Sequence, residues 1–348
     1  MRAVVFAGAG RVAVEDVPEP RVEKPGDAVV EVSRTAICGS DLHLLDGKTP
    51  GMTTGSVIGH EFTGRVVAAG AGVHSVREAD RVLGSFLIAC GECSQCRALR
   101  FNFCERRRAL GLGTLTGDLA GAQAEYVRVP LADVNLRLLP EGIAGADEER
   151  VLFAGDILAT GFYAASLGEA APGETVAVVG GGPVGLFCAL AARTAGARPV
   201  VIEADRGRAA FAGRTYGLET LVPGADAAGE LTASTGGLAD VVVEAVGALP
   251  AFKTALRCAR DGGRIVVVGV YGAERYDLPM GMAWVRGLQV RFSGMANVQA
   301  HWGAALDAVA AGAFDPAAIV THRMPLDDAE RGYELFAARA AMKVVMTP

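Results

Sequence analysis

Residues 175–185 read TVAVVGGGPVG, and this stretch decides how the second half of the chain folds. Four of its first five residues are apolar and three of them are valine, which predicts a buried strand. The glycines that follow have the spacing G-x-G-x-x-G and precede a helical pattern, so they allow a pyrophosphate to approach the helix amino terminus closely. Between a strand and a helix, this motif predicts a dinucleotide-binding turn rather than a plain glycine-rich one. The turn comprises Gly180, Gly182, Pro183, Val184 and Gly185.

Strand and helix patterns alternate around this motif. Helical patterns cover residues 156–166 and 182–195, and apolar strand patterns cover residues 198–203, 239–244 and 263–270. Strands that alternate with helices at this spacing predict a parallel, doubly wound sheet, which is an α/β fold.

The residues before 150 have a different sequence pattern, with short β-rich segments separated by glycine, proline and aspartate. Such a pattern is typical of a β-barrel-type domain with loops. The segment after residue 294 ends in a strand pattern at 343–346 and is expected to return to this domain. A chain of 348 residues also exceeds what one core usually supports. We therefore predict one domain from residues 1–157 and 295–348 and a second from residues 158–294.

The composition favours a folded globular protein and excludes several classes of partner. The chain is 51% hydrophobic and 21% charged. Its formal net charge of −6 is opposite in sign to the positive charge typical of proteins that bind nucleic acid. The short basic run at 105–108 is expected to be a solvated loop. Apolar runs such as 176–179 are far too short to span a membrane, so no membrane partner is expected. Nothing in residues 1–10 is typical of a secretory signal, and we expect a cytoplasmic protein.

Four of the seven cysteines lie within residues 90–104, in the order C-x2-C-x2-C-x7-C. Thiolates at this spacing can surround one Zn²⁺, and four sulfur ligands leave no position for a substrate, which indicates a structural site. An iron–sulfur or redox cluster is the alternative. The ligands would be Cys90, Cys93, Cys96 and Cys104. Cys188 and Cys258 lie in apolar helical patterns and are predicted to be buried core thiols.

A second group of residues that commonly bind metals precedes these four cysteines in the sequence. Cys38 opens the run Cys38-Gly39-Ser40-Asp41-Leu42-His43, and His60 is followed by Glu61. A mixed set of sulfur, nitrogen and oxygen ligands can keep one coordination position open. The chain therefore has one candidate structural site and one candidate catalytic site.

The strand at 198–203 should end in a carboxylate that binds the adenosine ribose. Glu203 follows the apolar run of this strand and is the favoured candidate, and Asp205 is the alternative. Two carboxylates would repel a 2′-phosphate, so NAD is predicted rather than NADP, although Arg206 could serve a phosphate if both acids point away.

These motifs, in this order, resemble those of zinc-dependent alcohol dehydrogenases of the medium-chain dehydrogenase/reductase superfamily. The resemblance covers essentially the whole chain and includes the closing segments 324–329 and 343–345. It implies a Rossmann domain and a GroES-like catalytic domain, and the NAD-dependent interconversion of primary or secondary alcohols with aldehydes or ketones. It also implies a homo-oligomer, a tetramer or a dimer, acting on a small-molecule alcohol or aldehyde.

The resemblance implies that the catalytic Zn²⁺ is held by Cys38, His60 and Asp156. Many animal and yeast members have cysteine at the third position, whereas some bacterial ones have aspartate. The carboxylate makes the zinc harder but is a viable ligand. A helix N-cap is the alternative role for Asp156. With the four-cysteine site, two zinc ions per chain are expected.

Further roles follow from the same resemblance. Glu61 would bind the catalytic zinc transiently, and Asp41 would accept a hydrogen bond from the second ring nitrogen of His60. Ser40 and His43 would relay the alcohol proton, unless His43 is simply an exposed loop residue. The nicotinamide and its neighbours would contact Thr160, Val246, Gly247, Val268, Gly269 and Val270.

An apolar substrate pocket is implied by Phe86, Leu112 and Leu115, and it favours simple alcohols. A polyol or amino-alcohol dehydrogenase of the sorbitol or threonine type is the alternative within the enzyme class. A non-catalytic nucleotide-binding protein on the same fold is the alternative outside it.

Overall fold

The computed structural model describes residues 1–46, 51–143, 145–272 and 275–348. These residues form two compact units. The first unit consists of Met1–Asp156, Asn297–Val309 and Asp315–Pro348, and the second of Ile157–Ala296 and Ala310–Phe314. The units differ from the predicted domains by one or two residues at the predicted boundaries, and residues 310–314 group with the second unit rather than the first.

The strands are β1 (Arg2–Phe6), β2 (Val12–Asp16), β3 (Ala28–Ala36), β4 (Glu61–Ala69), β5 (Arg81–Gly84), β6 (Leu87–Ile88), β7 (Arg108–Ala109), β8 (Tyr126–Val129), β9 (Leu136–Leu138), β10 (Thr175–Val179), β11 (Arg198–Ile202), β12 (Glu219–Leu221), β13 (Ala239–Glu244), β14 (Ala259–Val267), β15 (Gln289–Phe292), β16 (His322–Pro325) and β17 (Val344–Thr347).

The α-helices are α1 (Gly39–Leu45), α2 (Ser94–Arg97), α3 (Ala132–Asn135), α4 (Glu149–Leu152), α5 (Ile157–Leu167), α6 (Pro183–Thr194), α7 (Arg206–Tyr216), α8 (Ala227–Thr235), α9 (Leu249–Cys258), α10 (Met280–Val285), α11 (Val298–Ala310) and α12 (Ala329–Ala337). Short 3-10 helices cover Phe101–Phe103, Thr114–Thr116, Gly145–Glu148, Phe153–Gly155, Pro316–Ile319 and Leu326–Asp328. None of the described helices is long and apolar enough to cross a membrane.

The first unit is built on a mixed sheet with the strand order β16-β17-β3-β4-β5-β9, and β8 also pairs with β3. All of these pairs are antiparallel except β16 with β17. The register of β3 and β4 runs from Ala28 opposite Ala69 to Ala36 opposite Glu61. This register brings the residues that follow β3 beside those that precede β4, which places Cys38 near His60.

The second unit contains the predicted doubly wound sheet, with six parallel strands in the order β12-β11-β10-β13-β14-β15. The strand order reverses between β10 and β13, and at such a point the carboxyl ends of the strands leave a crevice for a ligand. The predicted strands at 175–179 and 239–244 are confirmed at both ends. β14 differs, because it begins at Ala259 and ends at Val267 rather than spanning 263–270. The fold class is therefore α/β, as predicted.

Helices α5 and α6 pack closely because α5 has a glycine at the contact. A Cβ at Gly161 would lie 2.5 Å from the carbonyl oxygen of Phe187, closer than a side chain tolerates. Cys188 in α6 and Cys258 in α9 are both buried, which confirms their prediction as core thiols.

Phe62 provides a test of the first unit's core. Its side chain is fully buried in β4, and a Cβ on Gly84 of β5 would lie 2.0 Å from its ring. We expect Phe62→Ala to lower the free energy of unfolding by about 3–5 kcal/mol, measured by urea denaturation. The matched control is Leu138→Ala in β9 of the same sheet, where the side chain is 49% exposed and a loss below about 1 kcal/mol is expected. Equal losses in the two variants would show that Phe62 does not anchor this core.

Candidate metal centre and cofactor site

Cys38, His60 and Asp156 come together although they are far apart in sequence. Cys38 lies between β3 and α1, His60 directly precedes β4, and Asp156 directly precedes α5. One sulfur, one ring nitrogen and one carboxylate oxygen from these residues all lie within 4.8 Å of one another. Cys38 Sγ is 3.5 Å from Asp156 Oδ2, and His60 Nε2 is 3.4 Å from the same oxygen. All three residues are buried.

These separations fit a shared zinc ion. Zinc bonds of ~2.3 Å to sulfur, ~2.0 Å to nitrogen and ~2.1 Å to oxygen at tetrahedral angles place sulfur and oxygen ~3.6 Å apart, and nitrogen and oxygen ~3.4 Å apart. The donor types are also those that zinc prefers. Three protein ligands leave a fourth position for a small molecule, as in catalytic zinc sites.

Asp41 contacts two of these ligands. Its Oδ2 accepts a hydrogen bond from the backbone N–H of Cys38 at 2.9 Å, and its Oδ1 lies 3.2 Å from His60 Nδ1. The other ring nitrogen therefore faces Asp156. Burial works against the charged imidazole, but Asp41, Asp156 and Cys38 together raise the pKa of His60 well above its ordinary value. The surroundings of His60 thus favour positive charge at the position where a metal ion would sit.

Gln123 and Tyr333 support Asp41, and the sequence analysis did not identify either residue. Gln123 Nε2 donates to Asp41 Oδ2 at 3.3 Å, and Tyr333 Oη donates to Gln123 Oε1 at 2.8 Å. Gln123 and Tyr333 belong to no local motif, so only the folded chain shows their connection to the metal ligands.

Glu61 faces a lysine that sequence reasoning also missed. Both residues are buried, with Glu61 at 0% and Lys343 at 1% exposure, and Lys343 Nζ lies 2.5 Å from Glu61 Oε2. Within the described residues, neither carboxylate oxygen of Glu61 has a hydrogen-bond partner. Burial disfavours the ammonium charge of Lys343, but Glu61 and Cys38 raise its pKa above the ordinary value.

The structure places the predicted relay residues on one helix and one predicted pocket residue, Phe86, beside His60. Ser40 and His43 lie on α1, both half-buried, and Ser40 Oγ is 3.2 Å from His60 Nε2. The ring of Phe86 meets the His60 ring edge to face, with centroids 5.8 Å apart. Leu112 is half-buried, whereas the side chain of Leu115 lies outside the described residues.

The four cysteines of residues 90–104 also form one cluster, with all sulfur atoms within 4.8 Å of one another. The sulfur atoms of Cys90 and Cys96 are 3.8 Å apart, and those of Cys93 and Cys104 are 4.0 Å apart. A regular tetrahedron of Zn–S bonds of ~2.3 Å has edges of ~3.8 Å. The cluster therefore has the dimensions of a closed tetrathiolate site.

The four thiols differ in their tendency to ionise. Burial opposes ionisation of Cys90, but backbone N–H groups of residues 92 and 93 and the side chain of Arg106 lower its pKa to about 6. Burial and the neighbouring thiols raise the pKa of Cys96 to about 12. A metal ion would allow all four sulfurs to ionise together.

The glycine motif forms the turn between β10 and α6. Gly180 has a positive φ of 107°, Gly182 is the N-cap of α6, and Pro183 occupies its first turn, with Val184 half-buried behind it. A Cβ on Gly185 would lie 1.9 Å from the carbonyl oxygen of Gly180, so only glycine allows the helix to start this close to the strand. The first N–H groups of α6 are available to an anion.

Glu203 and Asp205 have different local roles. Glu203 Oε2 accepts from the backbone N–H of Gly181 at 2.6 Å, and its Oε1 accepts from the N–H of Asp205 at 2.8 Å. Glu203 is therefore held against the glycine turn. Asp205 is the N-cap of α7 and accepts from the N–H of Arg208 at 2.9 Å.

The other predicted cofactor residues follow strand ends at the same edge of the sheet, except Thr160, which lies half-buried in α5. Val246 and Gly247 follow β13, and Val268, Gly269 and Val270 follow β14. Glu244, which sequence reasoning missed, ties the two loops together. Its Oε1 accepts from Val246 and Gly247 N–H at 2.9 Å each, and its carbonyl accepts from the N–H of Val268 and of Gly269.

Comparison with known proteins places these features in one family. The model of the alcohol dehydrogenase GroES-like domain matches residues 24–140, and the model of the zinc-binding dehydrogenase matches residues 183–311. Over 380 aligned residues, the chain is 35% identical to the zinc-type alcohol dehydrogenase-like protein AdhB of Bacillus subtilis (strain 168), with 100% of both proteins covered.

Solved structures agree with this assignment. Alcohol dehydrogenase TADH from Thermus sp. ATN1 has a TM-score of 0.93 and 42% identity, covering 100% of this chain and 99% of that chain. A zinc-binding dehydrogenase from Sinorhizobium meliloti 1021, bound to NADP, has a TM-score of 0.84 and 31% identity over 100% of this chain and 99% of that chain. The chain therefore belongs to the zinc-type alcohol dehydrogenases of the medium-chain dehydrogenase/reductase superfamily.

Proposed function

We propose that this protein is an NAD-dependent zinc alcohol dehydrogenase that oxidises primary or secondary alcohols to aldehydes or ketones and catalyses the reverse reduction. The observation that carries the proposal is the convergence of Cys38, His60 and Asp156, whose ligand atoms have the separations of one shared zinc ion. Three ligands of this kind hold a metal and leave room for a substrate oxygen.

The proposed reaction gives each residue of the site a specific role. When bound, zinc supplies a Lewis acid to the substrate oxygen and NAD accepts the hydride. Asp41 fixes the ring of His60 so that Nε2 faces the metal, and Ser40, 3.2 Å from that nitrogen, takes the proton of the alcohol. His43, on the same helix as Ser40, passes the proton on. Glu61 assists exchange of small molecules at the metal.

The four-cysteine cluster is proposed to hold a second, structural zinc ion, so two ions per chain are expected. Backbone N–H groups of its own loop donate to the sulfurs, as at Cys93 N to Cys90 Sγ, 3.4 Å. Such bonds favour thiolates, which are the form in which cysteine binds a metal ion.

The arrangement of Glu203 supports NAD as the cofactor. Its carboxylate is fixed by two backbone N–H groups at the edge of the glycine turn and still has lone pairs for ribose hydroxyls. A 2′-phosphate at this position would meet a negative charge. The Sinorhizobium protein bound NADP, so the preference has to be measured.

The apolar ring of Phe86 beside His60 favours simple alcohols over polyols. A steady-state screen of primary and secondary alcohols, aldehydes, polyols and threonine, each with NAD and NADP, tests this. Activity confined to polyols or threonine would instead establish the sorbitol- or threonine-type alternative. NAD binding with no turnover of any alcohol would indicate a non-catalytic nucleotide-binding protein.

Two cysteine variants test the division between the metal sites. Cys38→Ser removes a ligand of the open site, so we expect loss of one zinc ion and of turnover, by about 10³-fold or more, while NAD still binds. Cys104→Ser removes a ligand of the closed site, so we expect loss of one zinc ion and a lower melting temperature. Metal analysis, NAD titration and alcohol oxidation measure these effects.

The two variants control each other, because each removes one thiol from a buried metal site. The proposal is wrong for the open site if Cys38→Ser retains both zinc ions and full turnover. It is wrong for the closed site if Cys104→Ser loses turnover without any loss of stability.

Cofactor choice is tested at Glu203. Removing a charged acceptor of ribose hydroxyls costs about 1.5–3 kcal/mol, so Glu203→Ala is expected to raise KM for NAD about 10–100-fold and to lower the NAD/NADP preference. Asp205→Asn is the matched control, because asparagine caps a helix as well as aspartate does. If Asp205→Asn shifts the preference and Glu203→Ala does not, Asp205 is the ribose ligand.

The oligomeric state and the cellular location of the protein remain predictions. A homo-oligomer, a tetramer or a dimer, rests on the family resemblance. A cytoplasmic location is favoured by the seven free cysteines, since such thiols persist in reducing compartments.

A further inference from the structure

Lys343 has a position that the proposed mechanism does not use. It directly precedes β17, and the pairing of Val345 with Ala36, which itself pairs with Glu61, brings it to the end of the sheet where the metal ligands lie. Its backbone is fixed there, because its carbonyl accepts hydrogen bonds from Thr321 and His322. The lysine side chain is 1% exposed, although lysine is almost never fully buried without a partner.

The partners of the ammonium group are Glu61 and an aromatic ring. Nζ lies 2.5 Å from Glu61 Oε2 and 5.4 Å from the centroid of the Phe153 ring, within the range of a cation–π contact. The ammonium group thus forms an ion pair with Oε2 of Glu61. Both carboxylate oxygens are buried and neither has a hydrogen-bond partner in the described part of the chain, so the carboxylate depends on nearby cations.

This buried carboxylate, which has no hydrogen-bond partner among the described residues, is next in sequence to a proposed zinc ligand, His60. A buried carboxylate needs a cation, and two are available to Glu61: the ammonium of Lys343 and the metal ion. Ligation by Glu61 would give the ion a fourth protein ligand and fill the position that a substrate needs. The cation that binds Glu61 more strongly therefore decides whether the site is open.

We propose that Lys343 is a positioning residue that holds Glu61 away from the ion of Cys38, His60 and Asp156, and so keeps one coordination position open for substrate. The inference rests on the proposed metal site and goes beyond it, because it assigns the open position to a specific ion pair. It predicts that without the ammonium charge Glu61 becomes a permanent ligand of the metal rather than a transient one.

The test replaces zinc by Co²⁺ and uses imidazole as the probe. Imidazole alters the visible spectrum only of an ion with an exchangeable position, so a saturated four-cysteine site does not respond. Lys343→Met is expected to weaken imidazole binding about 10–100-fold, because Glu61 then occupies the exchangeable position of the cobalt ion. Lys343→Arg keeps the charge and is expected to retain most of the binding. Lys343→Gln replaces Lys343→Met if the latter does not fold.

The double variant Glu61→Gln/Lys343→Met distinguishes positioning from a purely structural role. It removes the carboxylate that would occupy the ion, so imidazole binding is expected to return to near the wild-type level. Imidazole binding that is unchanged in Lys343→Met, or weakened and not restored in the double variant, would overturn the proposal. If the wild-type protein takes up cobalt only at the four cysteines, the open metal site itself is refuted, which is a separate result.

Discussion

The candidate active site depends on one electrostatic constraint, which is that several negative groups are buried together and must share cations. Asp41 and Glu61 are fully buried, and Cys38 and Asp156 are 7% exposed each. Buried carboxylates without a partner cost several kcal/mol each. The proposed zinc ion compensates the charge of Cys38 and Asp156, and Lys343 compensates that of Glu61. The two cations are thus assigned to different acids, which leaves the metal accessible.

Local motifs were predictable from the sequence because their residue types and spacing are sufficient to identify them. The strand and turn at 175–185 and the cysteines at 90–104 need no information from elsewhere in the chain. β14 shows where such reasoning fails. Its segment Asp261–Gly263 has the composition of a turn, but the pairing of β13 with β14 shifts between Ala239 and Val241, so the extra residues are accommodated as an irregularity within the strand.

The residues that sequence reasoning missed act through contacts across long sequence separations. Lys343 looks like an ordinary lysine before a strand, and only the fold shows that it is buried against Glu61. Gln123 and Tyr333 likewise reach Asp41 from distant parts of the chain. Glu244 ends a predicted strand, but its bonds to the two following loops depend on the parallel pairing of β13 and β14. Residue type alone carries no signal for such roles.

The two candidate metal sites are related to the fold in different ways. The ligands of the closed site come from one loop, and that loop is tied to the start of α11 by Asn297, which accepts from Phe101 N–H and donates to the carbonyl oxygen of Leu99. An ion there stabilises the loop itself. The ligands of the open site come from three separate segments, so their geometry exists only when β3 and β4 are paired. Metal binding at the open site is therefore coupled to folding of the sheet, whereas metal binding at the closed site is coupled to folding of a single loop.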